Sequence, residues 1–327
     1  MKITLALFVS SILLISSTTV QNSEETDAID VKVVVKHLEK TFIGKMRKSS
    51  HLAKGHFMET IMMEDTYKGY FESIGYAIYM GEHNGNVAPY TKYKYFCENT
   101  KAKIASAPST TSTLRESLRL RYYGPFSSNK FNYKLSESDP NKDYFILKCT
   151  NKKVANSNFS DVFVKVSKED LNVLEINYTT PTLFSTISND RLKGDVRIKY
   201  TYIDGEPFVS NIETQYKKGK LIHHTTFEIL EQKLETFELS KDEFWAFNAI
   251  ARFPYIKYEA SQWEELQIAV PDDYEKIQRD LYGLDVPINQ FFVDNQAKLS
   301  PVSPIVNQKG HLEMAQNKMD NLKSLFN

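Results

Sequence analysis

Residues 195–230 read DVRIKYTYIDGEPFVSNIETQYKKGKLIHHTTFEIL, and this stretch decides the fold. In its first part Val196, Ile198, Tyr200 and Tyr202 alternate with Arg197, Lys199 and Thr201. A period of two, with one apolar and one polar set, belongs to a strand with a dry face and a wet face. Asp204-Gly205 follows, and Asp-Gly between alternating segments is the strongest short-range hairpin signal. PFVSNIETQY reads as the return strand, Lys218-Gly219 as a second turn and LIHHTTFEIL as a third strand. Strands joined by turns this short pair antiparallel, because a parallel pair needs a long crossover.

The pattern extends upstream. KFNYKLS, DYFILKCT, DVFVKVS and VLEINYTT read as further strands, with Asp139-Pro140 in one link. HFMETIMME and GYFESIGYAIYMG form two more around Asp65 to Lys68, and YTKYKYFCEN another. In the second of these, Tyr70, Glu72, Ile74, Tyr76 and Ile78 share one side. Gly75 and Ala77, on the other, mark a bend or the close approach of a second backbone. Val31, Val35, Leu38, Phe42 and Met46 recur at helical spacing and predict an amphipathic helix over 29–47. Thr113 with Glu116 forms a capping box for a short helix at 113–122, and Ser240 with Glu243 forms another ahead of FWAFNAI. Pro271 precedes DDYEKIQRDLYG, a helix closed by Gly283. Residues 284–310 read as extended, and Leu312, Ala315, Met319, Leu322 and Phe326 form a last amphipathic stripe. The expected fold is α+β and mainly antiparallel β. It is a large curved or half-barrel meander sheet covered by a few helices, with a C-terminal helical extension. The expected division is a signal peptide at 1–20, a β-rich domain with its helix at 27–236, and the helical extension at 237–327.

Composition narrows the function. Of 327 residues, 41% are hydrophobic and 25% charged, which is the balance of a globular protein rather than a disordered one. Lys plus Arg equals Asp plus Glu at 41 each, so no basic surplus points to nucleic acid or anionic lipid. Lys2 ahead of the apolar run Ile3 to Ile15, then SSTTVQ, reads as an export signal. The run is short for a membrane span, an uncleaved anchor helix being the alternative reading, and no later segment is long and apolar enough for one. No Cys follows the run, so a lipoprotein is not expected. The expected location is periplasmic or envelope-associated. Export places Cys97 and Cys149 where a disulfide persists, and by alternation both face inward. A bridge between them would stabilise the fold by roughly 4 kcal/mol in the chain-entropy model. Two buried free thiols are the alternative.

Motifs for catalysis are absent: no HExxH, GxSxG, Walker-type loop or GxGxxG occurs. No CxxC or Cys/His cluster predicts a metal, and no cofactor is expected. His223-His224 stand on opposite faces of a strand and cannot share one metal. His223 is then a polar group inside a cavity or a satisfied core histidine. Glu59 and Glu72 lie on neighbouring strands, where a close, desolvated carboxylate pair would do acid–base work; placement at an edge or rim is the other reading. Alternating bases and aromatics in YTKYKYF read as an amphipathic strand, not a nucleic-acid platform. Asn158 and Asn177 open glycosylation-type triplets.

GHFMET, ESIGYAIYMG, DVFVKVSKEDLNVLEINY and DEFWAFNAI, in that order, resemble the β-rich region of secreted carboxypeptidase-like regulatory domain proteins of Gram-negative bacteria. The resemblance covers about residues 30–265 and lacks the regulatory domain itself. Met58 stands where that pattern has Arg. The resemblance implies no peptidase residues. The function expected from the whole is a non-catalytic envelope binding protein with an apolar cavity for a lipid or other apolar ligand. Tyr76, Ile78, Ile198, Tyr200, Ile212, His223 and Phe227 are its expected lining. A hydrolase with a dispersed site, or a scaffold docking an outer-membrane or other envelope protein, are the alternatives.

Overall fold

A computed structural model describes residues 29–43, 45, 51–80, 92–102, 126, 131–152, 160–184, 191–234, 242–243, 260–265, 273–283 and isolated positions between 286 and 324. The expected signal peptide, the expected helix at 113–122, FWAFNAI and most of 284–310 lie outside them. Ten strands form one sheet: β1 His51–Met63, β2 Thr66–Met80, β3 Lys92–Ala102, β4 Phe131–Glu137, β5 Tyr144–Asn151, β6 Ser160–Ser167, β7 Val173–Phe184, β8 Arg191–Ile203, β9 Glu206–Lys218 and β10 Leu221–Leu234. Among the described residues, three helices with defined bounds accompany it: α1 Val31–Leu38, continued by a π-helical stretch Glu39–Ile43, then α2 Ala260–Glu265 and α3 Tyr274–Tyr282. The fold is therefore α+β, dominated by one open antiparallel meander, as the alternation predicts.

The strand order is β3-β2-β1-β10-β9-β8-β7-β6-β5-β4. Each neighbour follows in sequence except β1 and β10, which pair antiparallel from His51↔Leu234 to Met63↔Leu221. Tight turns set the local registers. Asp204 and Gly205, at φ 52° and 75°, lie in the left-handed region that the β8–β9 hairpin needs. Glu64 and Asp65 do the same for β1–β2 at φ 52° and 65°, without a glycine. That turn is held from two sides, by Lys220 to Glu64 at 2.5 Å and by Lys276 of α3 to Asp65 at 2.8 Å.

The two faces differ. On the inner face, direct cross-strand partners run Ser73–Phe57–Phe227–Ile212–Ile198–Ile176–Val164–Leu147–Leu135 through nine strands. From Phe57 to Leu147 every member is 0% exposed. α1 and its π-helical end pack on this face, with the Phe42 ring edge-on to Tyr200 at 4.9 Å and to Phe126 at 5.8 Å. The outer face is charged over β8, where Lys193, Asp195, Arg197 and Lys199 are exposed, but buried over β1 and β2. There Tyr67, Tyr70 and Ile74 form one cluster with Trp263 of α2 and Ile277 of α3. Polar bonds fix α3 in place: the Tyr67 amide donates to Asp280 at 2.9 Å and the Tyr67 hydroxyl to Asp273 at 2.7 Å. The predicted stop holds, with Gly283 at φ 63° and its N–H on the Arg279 carbonyl. Near the C-terminus, Lys318 reaches Glu243 at 3.2 Å and Lys323 lies over the Tyr76 ring at 5.6 Å, so this segment contacts the protein's own sheet.

Gly55 sits at the register shift between β1 and β10, opposite Gly75 of β2, which flanks a second shift toward β3. A Cβ at Gly55 would collide with the Phe227 ring and stand 3.1 Å from the Glu228 carbonyl oxygen. Gly55→Ala is expected to destabilise the protein by about 1–3 kcal/mol through overpacking, read as a lower urea midpoint with unchanged m-value. A neutral effect would show that this pairing has room to spare.

Candidate functional site

The candidate site is the inner face where β1, β10, β9 and β8 meet. Cross-strand pairing places Ile198, Ile212 and Phe227 directly side by side in the apolar row. Tyr200 follows two residues beyond Ile198 on the same face and meets Phe42. His223 stands on this face opposite Tyr216, whose ring meets it edge-on at 4.7 Å. Five of the seven expected lining residues thus share one surface.

Tyr76 and Ile78 do not. The β1–β2 register pairs Tyr76 with Lys54 and Ile78 with Leu52, on the outer face. Alternation could not assign the side, because both faces of β2 are buried and neither set is polar throughout. The inner residues of β2 are Phe71, Ser73, Gly75, Ala77 and Tyr79, set by their partners Glu59, Phe57, Gly55, Ala53 and His51.

Next to the apolar row lies a buried polar patch. His223 Nε2 and Glu59 Oε1 are 2.5 Å apart, with the side chains 2% and 1% exposed. Thr225, directly opposite Glu59, exchanges a 2.7 Å hydroxyl bond with Thr214 on β9. His223 is therefore a hydrogen-bonded core histidine on the face of the candidate site. Its carboxylate partner comes from 164 residues away in the chain, which no local pattern encodes. Glu59 and Glu72 do not form a carboxylate pair: odd and even positions put them on opposite faces of the sheet. Glu72 has its own partners on the outer face, His56 Nε2 at 2.8 Å and the Tyr70 hydroxyl, under the edge of Trp263. Burial, followed by the charge of Glu72, holds the Tyr70 phenol well above its ordinary range. His56 and Tyr70 are the members of these pairs that sequence reasoning missed, although the i, i+2 spacing of Tyr70 and Glu72 placed them on one side.

The expected disulfide is not formed. Cys149 is a free, buried thiol, paired by register with Tyr133 and Val162, and burial pushes its pKa up to about 12. The strand order explains this: β3, which carries Cys97, is at one edge of the sheet, and β5 is next to the other. Among the described residues no group of three His, Cys, Asp or Glu is placed to hold a metal ion, and no helix is long and apolar enough to cross a membrane.

No family model matches this chain, and no curated protein matches it. Solved structures give distant likenesses. A DUF1329 family protein from Desulfovibrio piger is 13% identical at a TM-score of 0.36, over 66% of this chain and 98% of that one. An outer membrane lipoprotein-sorting protein domain from Vibrio parahaemolyticus is 12% identical at 0.33, over 67% and 98%. A LolA superfamily protein from Nitrosomonas europaea is 11% identical at 0.32, over 64% and 96%. The resemblance to carboxypeptidase-like regulatory domain proteins is thereby overturned: the neighbours are of other families. Three of the four motifs that carried it are alternating strands and one hairpin, which any antiparallel meander of this composition repeats.

The buried pair makes a clear thermodynamic demand. Removing one partner takes from the other its 2.5 Å contact in a desolvated place, so Glu59→Leu or His223→Leu should each cost about 3–5 kcal/mol. The double variant should cost far less than their sum, measured as a double-mutant cycle by urea denaturation. Additive losses would mean that the two side chains do not support one another.

Proposed function

We propose that this chain is an exported, non-catalytic binding protein that receives a lipid-like or other apolar ligand against the inner face of its sheet. The observation that carries the reading is the unbroken apolar row from Phe57 to Leu147. Fully buried side chains from seven adjacent strands make one continuous surface on a single sheet. Among the described residues, α1 and its π-helical end pack on that face with Phe126, meeting the sheet at Tyr200 and at β4. The site residues are Ile198, Tyr200, Ile212, Phe227 and, at the polar margin, His223.

Phe42 supports the reading from the other side. It sits in the five-residue π-helical stretch Glu39–Ile43, a geometry that is uncommon and concentrated at functional positions. Its ring is seated on Tyr200 and Phe126, so a ligand entering this part of the face displaces it. Export rests on the leader-like run at residues 3–15. A hydrolytic role is the weaker reading. The His223–Glu59 pair is shielded from water, and the hydroxyls beside it, Thr214 and Thr225, are engaged with one another.

Native mass spectrometry of the protein from its own host is expected to show a co-purified apolar molecule. In solution, a fluorescent fatty acid is expected to bind the wild type, to bind Phe42→Ala more tightly, and to lose affinity at least about tenfold for Tyr200→Asp in a variant that still melts cooperatively. Fatty-acid binding indifferent to both substitutions would refute the assignment. Ester hydrolysis abolished by His223→Gln would establish the hydrolase instead.

A further inference from the structure

A second surface, independent of the apolar face, carries an inference of its own. Gly194 of β8 pairs with Tyr216 of β9. That is the last pair of the ladder, and the next residue on each strand, Lys193 and Lys217, is exposed and borders the same depression. Two like charges in cross-strand contact destabilise a sheet. Two carboxylates lie on this part of the face. Asp195 accepts from the Thr179 hydroxyl at 2.8 Å, and Glu213 is held by His224 at 3.1 Å and Arg197 at 3.5 Å. The hydrogen bond from His224, with Arg197 adding, holds the Glu213 carboxyl below the usual carboxylate range, so it stays committed as an anion.

The two lysines border a depression of about 300 Å³ that Thr179, Asp195 and Gln215 also line. Those three residues continue into an adjoining groove of about 350 Å³ with Phe163, Asn177, Arg197 and Glu213. The chain as a whole is neutral, and here Lys193, Lys217 and Arg197 stand beside Asp195 and Glu213.

We propose that Lys193 and Lys217 form a binding site for a phosphate group. A phosphate monoester carries a charge near −2 and several acceptor oxygens. It matches two ammonium groups on neighbouring strands, each able to donate to a different oxygen. The Gln215 amide supplies a further donor. Asp195 and Asn177, along the groove, accept from hydroxyls, so the phosphate is one borne by a polyol. The same chemistry occurs in a free polyol phosphate and in a lipid headgroup.

The test uses the full mature chain and its melting temperature at constant ionic strength. Glycerol 3-phosphate is expected to raise the wild-type melting temperature and chloride is not. Lys217→Met is expected to weaken the response about tenfold, the loss of one charge-assisted contact. Lys217→Glu is expected to abolish it while melting higher than wild type without ligand, because it turns a repulsive cross-strand pair into an attractive one. Sedimentation with vesicles of phosphatidylcholine, with and without phosphatidylglycerol, distinguishes the sources. Vesicle binding that needs the anionic lipid, without a response to glycerol 3-phosphate, assigns a headgroup; the reverse assigns a soluble ligand. No response to either, or a response equal in wild type and Lys217→Glu, overturns the proposal.

Discussion

The pairing of β1 with β10 is the constraint on which the rest of the structure depends. Every other strand pair joins neighbours in sequence and is set by a turn or a short link. β1 and β10 are separated by most of the sheet, so their ladder closes a long loop before any contact rewards it. Thirteen residues of β1 find partners along β10, with one shift at Gly55. This ladder joins the β1–β3 meander to the β4–β10 meander. It brings Glu59 to His223, lays Phe227 over Gly55 and carries the apolar row across the seam. Tolerance at the seam is small, because the Gly55 backbone lies directly beneath an aromatic ring.

The two faces follow different rules once the seam is made. On the inner face one apolar surface runs through the sheet, and the polar groups described there include two partnered sets, Glu59 with His223 and Thr214 with Thr225. Burial of an unpaired group there would cost more than its hydrogen bond returns in water. On the outer face, burial is local. α2 and α3 cover β1 and β2, and beneath them Glu72, His56 and Tyr70 form a second closed network. Across β7 to β10 the same face is wet and charged, with Arg197 between Glu175 and Glu213 at 3.4 and 3.5 Å. One sheet therefore presents an apolar side and, across β7 to β10, a polar and charged side.

Strand existence, turn position and the wet and dry sides of β8 were determined by the sequence alone. The physical reason is that alternation and Asp-Gly chemistry are local and act within a few residues. Ile198, Ile212 and Phe227 were readable for the same reason, because short hairpins carry the register from one strand to the next. Gly283 likewise ended α3 where a left-handed residue was needed. Tyr76 and Ile78 show where that logic stops. β2 is buried on both sides, so its pattern has no sign, and only the β1 register assigns its faces. The partners of Glu59 and Glu72, and the separation of Cys97 from Cys149, were decided by strand order. Strand order was in turn decided by β1 meeting β10, a contact between distant segments that no local spacing encodes and only the assembled sheet creates.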